Sequence, residues 1–166
     1  MMYYGRVLGE LNRRKVRYLV AGGIAVNLYG VPRATADLDL LLQPGARNLE
    51  KFLGAMRRLG YRPRVPVTFE DITVENLERW KKEKNMKAFS FKNPRVPYEE
   101  VDLILDHPLD FGKAYARREV VRAGRITIPL VSLRDLMKLK EHSGRLQDLS
   151  DLEALRKVER MRRMAE

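Results

Sequence analysis

Apolar positions along this 166-residue chain follow two spacings, and each spacing predicts a different kind of element. Apolar residues three and four apart predict amphipathic helices, whereas short apolar runs and strict alternation predict strands. Leu49, Phe52 and Met56 lie on one side of a helix predicted over 46–59, which ends before Gly60. Similar patterns predict further helices over 2–12, 24–29, 74–82, 111–119, 132–142 and 149–161.

The predicted strands are short and lie between these helices. Alternation of helices and strands in the first half, followed by hairpin-like strands, predicts an α/β (α+β) fold in which helices flank a mixed sheet. We expect one domain over 1–166, with C-terminal helices at about 132–163, the first of them capped by Ser132. The strands are predicted over 16–23, 38–42, 86–91, 99–105, 119–124 and 125–131.

Composition narrows the class of protein. Hydrophobic residues make up 45% of the chain, which argues against disorder, and no apolar run approaches the length of about 20 residues that spans a membrane. The chain has no cysteine and its first residues lack the order of a signal peptide, so we expect a cytoplasmic protein without disulfides. A net charge of +11 favours a polyanionic partner such as RNA or DNA, although a charge-rich surface could also serve solubility or heat resistance.

Three aspartates interrupt segments that are otherwise apolar. Asp37 and Asp39 are separated by one residue at the start of a strand, so their side chains project from the same face. Asp102 lies alone within "EEVDLIL". If the two strands are neighbours, the three carboxylates converge and suit Mg²⁺, either as one ion or as a two-metal phosphoryl-transfer site. Taken alone, Asp102 could instead be a strand-edge acid paired with a lysine.

A glycine pair precedes the acids. Gly22 and Gly23 lie between a predicted strand and a predicted helix, where the backbone can approach a phosphate closely and the helix offers free N–H groups. The alternative is a tight turn without a ligand. Glycines followed by Asp-x-Asp on the next strand are a more specific pattern than either part alone.

These motifs together resemble a known group of enzymes. "AGGIA" followed by "GVPRATADLD" is similar to the nucleotidyltransferase superfamily that includes DNA polymerase beta, and within it to AbiEii-like proteins, many of them toxins of toxin–antitoxin pairs. "DLMKLK" and "RLQDLSDL" resemble the Lys…Arg-x-x-Asp signature of that group. The chain departs from the pattern in having Gly22-Gly23 where many members have Gly-Ser, and in its shorter C-terminal helical region.

The resemblance implies specific roles in a nucleotidyltransferase fold. Asp37 and Asp39 would hold two Mg²⁺ ions, and Asp102 would complete one metal site and help to deprotonate the acceptor hydroxyl. The residues that would contact the triphosphate are Gly22, Gly23, Arg33, Lys140 and Arg145. Arg33 and Arg145 could instead be surface cations, and Lys140 could be a solvated lysine. Asp148 is interpreted as an ion-pair partner of Arg145 or Arg33.

The predicted function is Mg²⁺-dependent transfer of NMP from an NTP to an acceptor hydroxyl. The basic charge favours RNA, particularly a tRNA end, and the resemblance adds a toxin role with an antitoxin protein as partner; no membrane is expected. Two alternatives stay open: a non-catalytic nucleotide- or RNA-binding module of the same fold, and a transferase that acts on a protein or an antibiotic. The cations predicted to contact RNA are Arg57-Arg58, Lys81-Lys82, Arg117-Arg118 and, near the C-terminus, Arg156, Lys157, Arg160, Arg162 and Arg163.

Overall fold

The computed structural model describes residues 4–166, so the predicted helix start at Met2 lies outside the described residues. The elements, in chain order, are α1 (Gly5–Arg13), β1 (Tyr18–Ala21), α2 (Gly22–Leu28), β2 (Asp37–Leu42), α3 (Ala46–Arg58), β3 (Arg62–Pro63), a 3₁₀ turn (Phe69–Asp71), α4 (Val74–Glu83), β4 (Ala88–Asn93), β5 (Val96–Ile104), α5 (Phe111–Ala116), β6 (Glu119–Ala123), β7 (Ile126–Leu130), α6 (Leu133–Ser143) and α7 (Leu146–Ala165).

The strands of the described chain form one mixed sheet in the order β3-β4-β5-β2-β1-β7-β6. β2 pairs antiparallel with β1 and parallel with β5, and β1 pairs parallel with β7. The predicted mixed sheet flanked by helices is therefore confirmed, and the two acid-bearing strands are direct neighbours.

The two faces of this sheet differ in chemistry because each strand alternates its side chains. One face is apolar on β2 and β5, where Leu38, Leu40, Val101 and Leu103 are buried. It packs against helices: Phe52 of α3 contacts Phe91 of β4 edge-on, and Trp80 of α4 stacks on Phe89 of β4 at 5.6 Å. The opposite face of the same strands carries Asp37, Asp39, Glu100 and Asp102.

Several predicted boundaries were wrong, and each difference has a local cause. The glycine pair does not end β1 but begins α2, where Gly22 has a φ of +66°. β2 begins at Asp37, so both early acids belong to the strand. The two-residue β3 was not predicted, because Pro63 lies within it and two residues show no alternation.

The C-terminal helices pack against each other, and α6 also packs against α2. Ser132 caps α6 by accepting a hydrogen bond from Asp135 N at 3.1 Å, as predicted, but the Asp135 carboxylate pairs with Arg117 instead of completing a capping box. α7 extends beyond the predicted range of 149–161. The prediction ended early because the last turn is exposed and lacks the apolar spacing that indicates a helix. Within residues 4–166, no helix is both long and apolar enough to cross a membrane.

Candidate active site

The acids of β2 and β5 meet because the two strands are parallel and in register. Asp37 lies opposite Glu100, and Asp39 lies opposite Asp102. Directly opposed residues project from the same face, so four carboxylates share one small area. One oxygen each from Asp37, Glu100 and Asp102 can be chosen so that the three lie within 4.8 Å of one another. The structure therefore places the predicted Asp37, Asp39 and Asp102 on one face of two adjacent strands, and in the close group of three oxygens Glu100 takes the position expected for Asp39.

The sequence analysis did not predict Glu100 as a site residue, although its spacing from Asp102 indicated it. It precedes Asp102 by two residues, the same spacing that places Asp37 and Asp39 on one face. In the structure, Glu100 accepts a hydrogen bond from Arg64 at 3.1 Å.

The cluster holds more negative charge than its surroundings compensate. Burial raises the pKa of Asp102 to about 7, with Asp39, Glu100 and Asp37 adding to the effect and Ser90 opposing it. Burial and the charge of Asp37 raise the pKa of Asp39 to about 6. Burial, followed by Glu100, also raises the pKa of Asp37.

One oxygen of the cluster is suited to bind a cation. Asp102 Oδ1 is buried and has no hydrogen-bond partner among the described residues. A buried carboxylate oxygen without a partner is costly, and a cation held between carboxylates would satisfy it. Oxygen-only donors at this spacing fit Mg²⁺, which binds through one or two carboxylates and completes its shell with water and substrate phosphates.

The glycine pair is required by close packing against the acids. A Cβ on Gly22 would lie 1.8 Å from Asp39 Oδ2, and a Cβ on Gly23 would lie 2.0 Å from Arg33 Nη1 and 2.5 Å from Thr35 Oγ1. The absence of side chains therefore lets α2 begin directly beside Asp39 and beneath the loop that precedes β2. Both glycines line the cleft that contains the acids.

Replacing Gly22 by alanine is expected to destabilise the protein and displace the Asp39 carboxylate. The positive φ costs about 1 kcal/mol for a residue with a Cβ, and relief of the collision adds to that, so we expect a loss of about 2 kcal/mol or more. Gly9→Ala in α1 is the matched control, because no atom lies within 4 Å of its added Cβ. Chemical denaturation should show Gly9→Ala neutral or slightly stabilised. Equal stability of the two variants would contradict the packing described.

The other wall of the cleft carries a buried network of charges. Lys140 Nζ lies 3.1 Å from Asp148 Oδ1 and 2.9 Å from Asp151 Oδ2, and its side chain is only 7% exposed. Arg145 Nε donates to Asp148 at 2.9 Å, and Arg33 Nε lies 3.1 Å from Asp151 Oδ1. Although burial acts to raise it, hydrogen bonds from Arg145, Ser143 and Lys140 lower the pKa of Asp148 to about 2.

This network corrects part of the sequence interpretation and confirms another part. Lys140 is not a solvated lysine, because two buried aspartates hold it. Asp148 does pair with Arg145, as predicted, but Arg33 pairs with Asp151. Asp151 was not singled out, although it lies one helical turn beyond Asp148 and so shares its face.

Acids and cations line the two walls of one cleft of about 460 Å³. Its size is that of a site for a small ligand, and its charge distribution suits a ligand that carries phosphates with a divalent cation. The cleft brings together seven of the eight predicted site residues, whereas Asp37 lies at its border beside Asp102; the seven are Gly22, Gly23, Arg33, Asp39, Asp102, Lys140 and Arg145.

The raised pKa values predict how the stability of the metal-free protein depends on pH. Asp39 and Asp102 hold protons when folded that they release when unfolded, because their pKa values of about 6 and about 7 exceed the ordinary 3.8. Rising pH between about 5 and 8 should therefore lower the melting temperature in the presence of a chelator. Excess Mg²⁺ should remove most of this decline. Asp102→Asn should show a shallower decline with chelator, and a slope equal to that of the natural chain would contradict the assignment.

No protein-family model matches the chain, and no curated protein matches it in sequence. Solved structures do match its fold. The lincosamide antibiotic adenylyltransferase LnuA, bound to lincomycin, aligns with a TM-score of 0.59 and 19% identity over 92% of this chain and 93% of its own.

Two further structures give the same result. The antibiotic-resistance factor ANT(2″)-Ia in complex with adenylyl-2″-tobramycin aligns with a TM-score of 0.57 and 17% identity, over 96% of this chain and 92% of its own. A Thermotoga maritima protein assigned as a nucleotidyltransferase aligns with a TM-score of 0.51 and 16% identity, over 92% and 87%. At these identities the comparisons establish the architecture, and this chain has the nucleotidyltransferase fold.

Proposed function

We propose that this protein is a divalent-metal-dependent nucleotidyltransferase that moves NMP from an NTP to an acceptor hydroxyl, with RNA as the acceptor. The observation that carries the proposal is the pairing of Asp37-x-Asp39 with Glu100-x-Asp102 on adjacent strands, at one wall of a cleft whose other wall is cationic. The fold shared with antibiotic adenylyltransferases supports the reaction class.

Asp37, Asp39 and Asp102 would hold Mg²⁺. We favour an arrangement with two Mg²⁺ ions. Bound Mg²⁺ would neutralise charge on the triphosphate and on the attacking and leaving oxygens. Glu100 lies close enough to Asp37 and Asp102 to contribute a further oxygen.

The chain's own residues would position the reactants and handle the proton. Asp102 would help to deprotonate the acceptor hydroxyl. The acceptor oxygen then bonds to the α-phosphorus, the bond from that phosphorus to the bridging oxygen breaks, and pyrophosphate leaves.

Cations on the opposite wall would bind the phosphates that leave. Arg145, Lys140 and Arg33 each pair with Asp148 or Asp151, which fixes their positions before the ligand arrives, and the Arg145 side chain stays largely exposed. Preorganised positive charge of this kind stabilises developing negative charge without reorganisation during the reaction.

Stabilisation by nucleotide tests the donor half of the proposal. Mg²⁺ with at least one of the four NTPs should raise the melting temperature, because a ligand present at 100 times its Kd adds about 2.7 kcal/mol to the stability of the folded state. For a chain of this length we expect a shift of roughly 5–10 °C. If none of the four NTPs produces a shift at millimolar concentration, the proposed donor is wrong.

An antibiotic acceptor is the second candidate, because two of the aligned structures contain lincomycin and adenylyl-2″-tobramycin. RNA is preferred on the net charge of +11, since a cationic acceptor such as an aminoglycoside favours an acidic surface. A toxin role with an antitoxin partner is supported by the sequence resemblance alone. A non-catalytic module of the same fold would bind NTP without producing pyrophosphate, and a pyrophosphate assay separates it from an enzyme.

A further inference from the structure

A second concave surface, lined by arginines, lies at the β3 edge of the sheet. This groove has a volume of about 780 Å³, and five arginines line it against a single acid, Glu70, which pairs with Arg57 at 2.9 Å. Arg58 has only a long contact of 3.8 Å to Glu10. Within residues 4–166, no carboxylate lies at ion-pair distance from the other three arginines of the groove, which are Arg6, Arg62 and Arg95.

The groove is connected to the acids by one row of the sheet. Arg62 of β3 lies opposite Lys92 of β4, Lys92 lies opposite Glu100 of β5, and Glu100 lies opposite Asp37 of β2. Opposed residues project from the same face, so all four lie on the polar face of the sheet. Three strand spacings separate Arg62 from Asp37, a distance of about 14 Å.

β5 also carries an exposed aromatic side chain close to this row. Tyr98 precedes Glu100 by two residues in β5 and is 65% exposed. A cationic path with an exposed aromatic ring beside it is how proteins bind single-stranded nucleic acid, since the cations contact phosphates and the ring stacks on a base.

Three of the cations that the sequence predicts to contact RNA elsewhere are engaged with acids. Arg117 donates to the buried Asp135 at 3.0 Å, and Arg162 pairs with Glu119 at 2.9 Å. Arg163 pairs with Glu159 at 3.4 Å. Phosphates would have to compete with carboxylates at those positions, whereas the arginines of the groove hold mostly unneutralised charge.

We propose that a basic track, made of the groove and the sheet row, binds the phosphates of a single-stranded RNA whose terminal hydroxyl reaches Asp102. Tyr98 stacks on a base near that end. The inference rests on the proposed function and adds the surface that receives the acceptor. The members of the basic track are Arg6, Arg57, Arg58, Arg62, Lys92 and Arg95.

A matched pair of charge-reversal variants tests the track. Arg62→Glu/Arg95→Glu alters it, and Arg122→Glu/Arg125→Glu makes the same change of net charge on the exposed β6–β7 hairpin at the other edge of the sheet. Binding of a fluorescent single-stranded RNA oligonucleotide is measured by anisotropy at several salt concentrations. The NTP–Mg²⁺ thermal shift of each variant is measured in parallel.

We expect the track variant to bind RNA at least tenfold more weakly at low salt than the hairpin variant. Its log–log salt slope should fall by about 1.4, since each lost phosphate contact removes about 0.7. Tyr98→Ala should weaken binding roughly tenfold without changing the slope, because stacking contributes about 1–3 kcal/mol per base and releases no counterions.

Equal losses in the two charge-reversal variants, unchanged binding by the track variant, or failure of the natural chain to bind RNA would each overturn the proposal. If NTP–Mg²⁺ still raises the melting temperature in those cases, the proposed transferase function is unaffected. Absence of any such shift in the natural chain would instead count against the transferase itself.

Discussion

Replacing Asp39 by asparagine is expected to reduce nucleotidyl transfer by about a thousandfold or more. Metal ions contribute several kcal/mol of charge stabilisation to phosphoryl transfer, and each 1.36 kcal/mol is a tenfold change in rate. Asp39 lies opposite Asp102 and against Gly22, so its amide would keep the shape of the site while losing the charge that holds the cation.

The same variant should be more stable than the natural chain when a chelator is present. Burial and the neighbouring Asp37 raise the pKa of Asp39, which shows that its negative charge is unfavourable in the metal-free fold. Asp110→Asn is the control, because Asp110 caps the exposed start of α5 and asparagine caps a helix equally well. Steady-state transfer rates and melting curves with chelator measure both effects. Full activity of Asp39→Asn would contradict the metal-binding role.

Replacing Lys140 by alanine should cause a large loss of stability. Removal of one partner from a buried ion pair costs about 3–5 kcal/mol, because a buried charge is left without compensation. Asp148 and Asp151 each keep an arginine, so we expect a value near the lower end, about 3 kcal/mol. For a chain of this length that corresponds to a fall in melting temperature of roughly 6–12 °C.

Lys138→Ala provides the comparison on the same helix, since Lys138 is exposed on α6. It should change stability by less than about 0.5 kcal/mol. Chemical denaturation of both variants, with NTP affinity measured on the folded fraction, separates the structural part of the effect from phosphate binding. A Lys140→Ala variant as stable as Lys138→Ala would show that the buried network does not form.

Much of the acidic wall was predictable because strand periodicity is a local property. Side chains two residues apart on a strand project from the same face of the sheet. Asp37 and Asp39 were therefore expected on one face wherever the strand lay in the sheet. That β2 and β5 are neighbours was not local information; it depended on the resemblance, and the register of Asp39 with Asp102 confirms it. Glu100 follows from the same periodicity once β5 is known to carry the third acid.

The cationic wall was less predictable because its contacts join distant parts of the chain. The pairing of Arg33 with Asp151 links the loop before β2 to α7, and no pattern in either segment signals it. Burial of Lys140 had a weak signal, since Leu136 and Leu139 border it on the inner side of α6 and line the same cleft. The sequence pattern could not predict β3, because two residues show no alternation, although its Arg62 forms part of the basic track.

Transfer of labelled nucleotide tests the central claim most directly. The natural chain and Asp39→Asn are incubated with Mg²⁺ and each NTP labelled at its α-phosphate, together with total RNA, bulk protein or a panel of antibiotics, and each acceptor is then separated and counted. We predict label in RNA with the natural chain, release of one pyrophosphate per NMP transferred, and no label with Asp39→Asn. Label in protein or an antibiotic alone would replace the acceptor while keeping the reaction. Absence of label from every acceptor with all four NTPs would contradict the account.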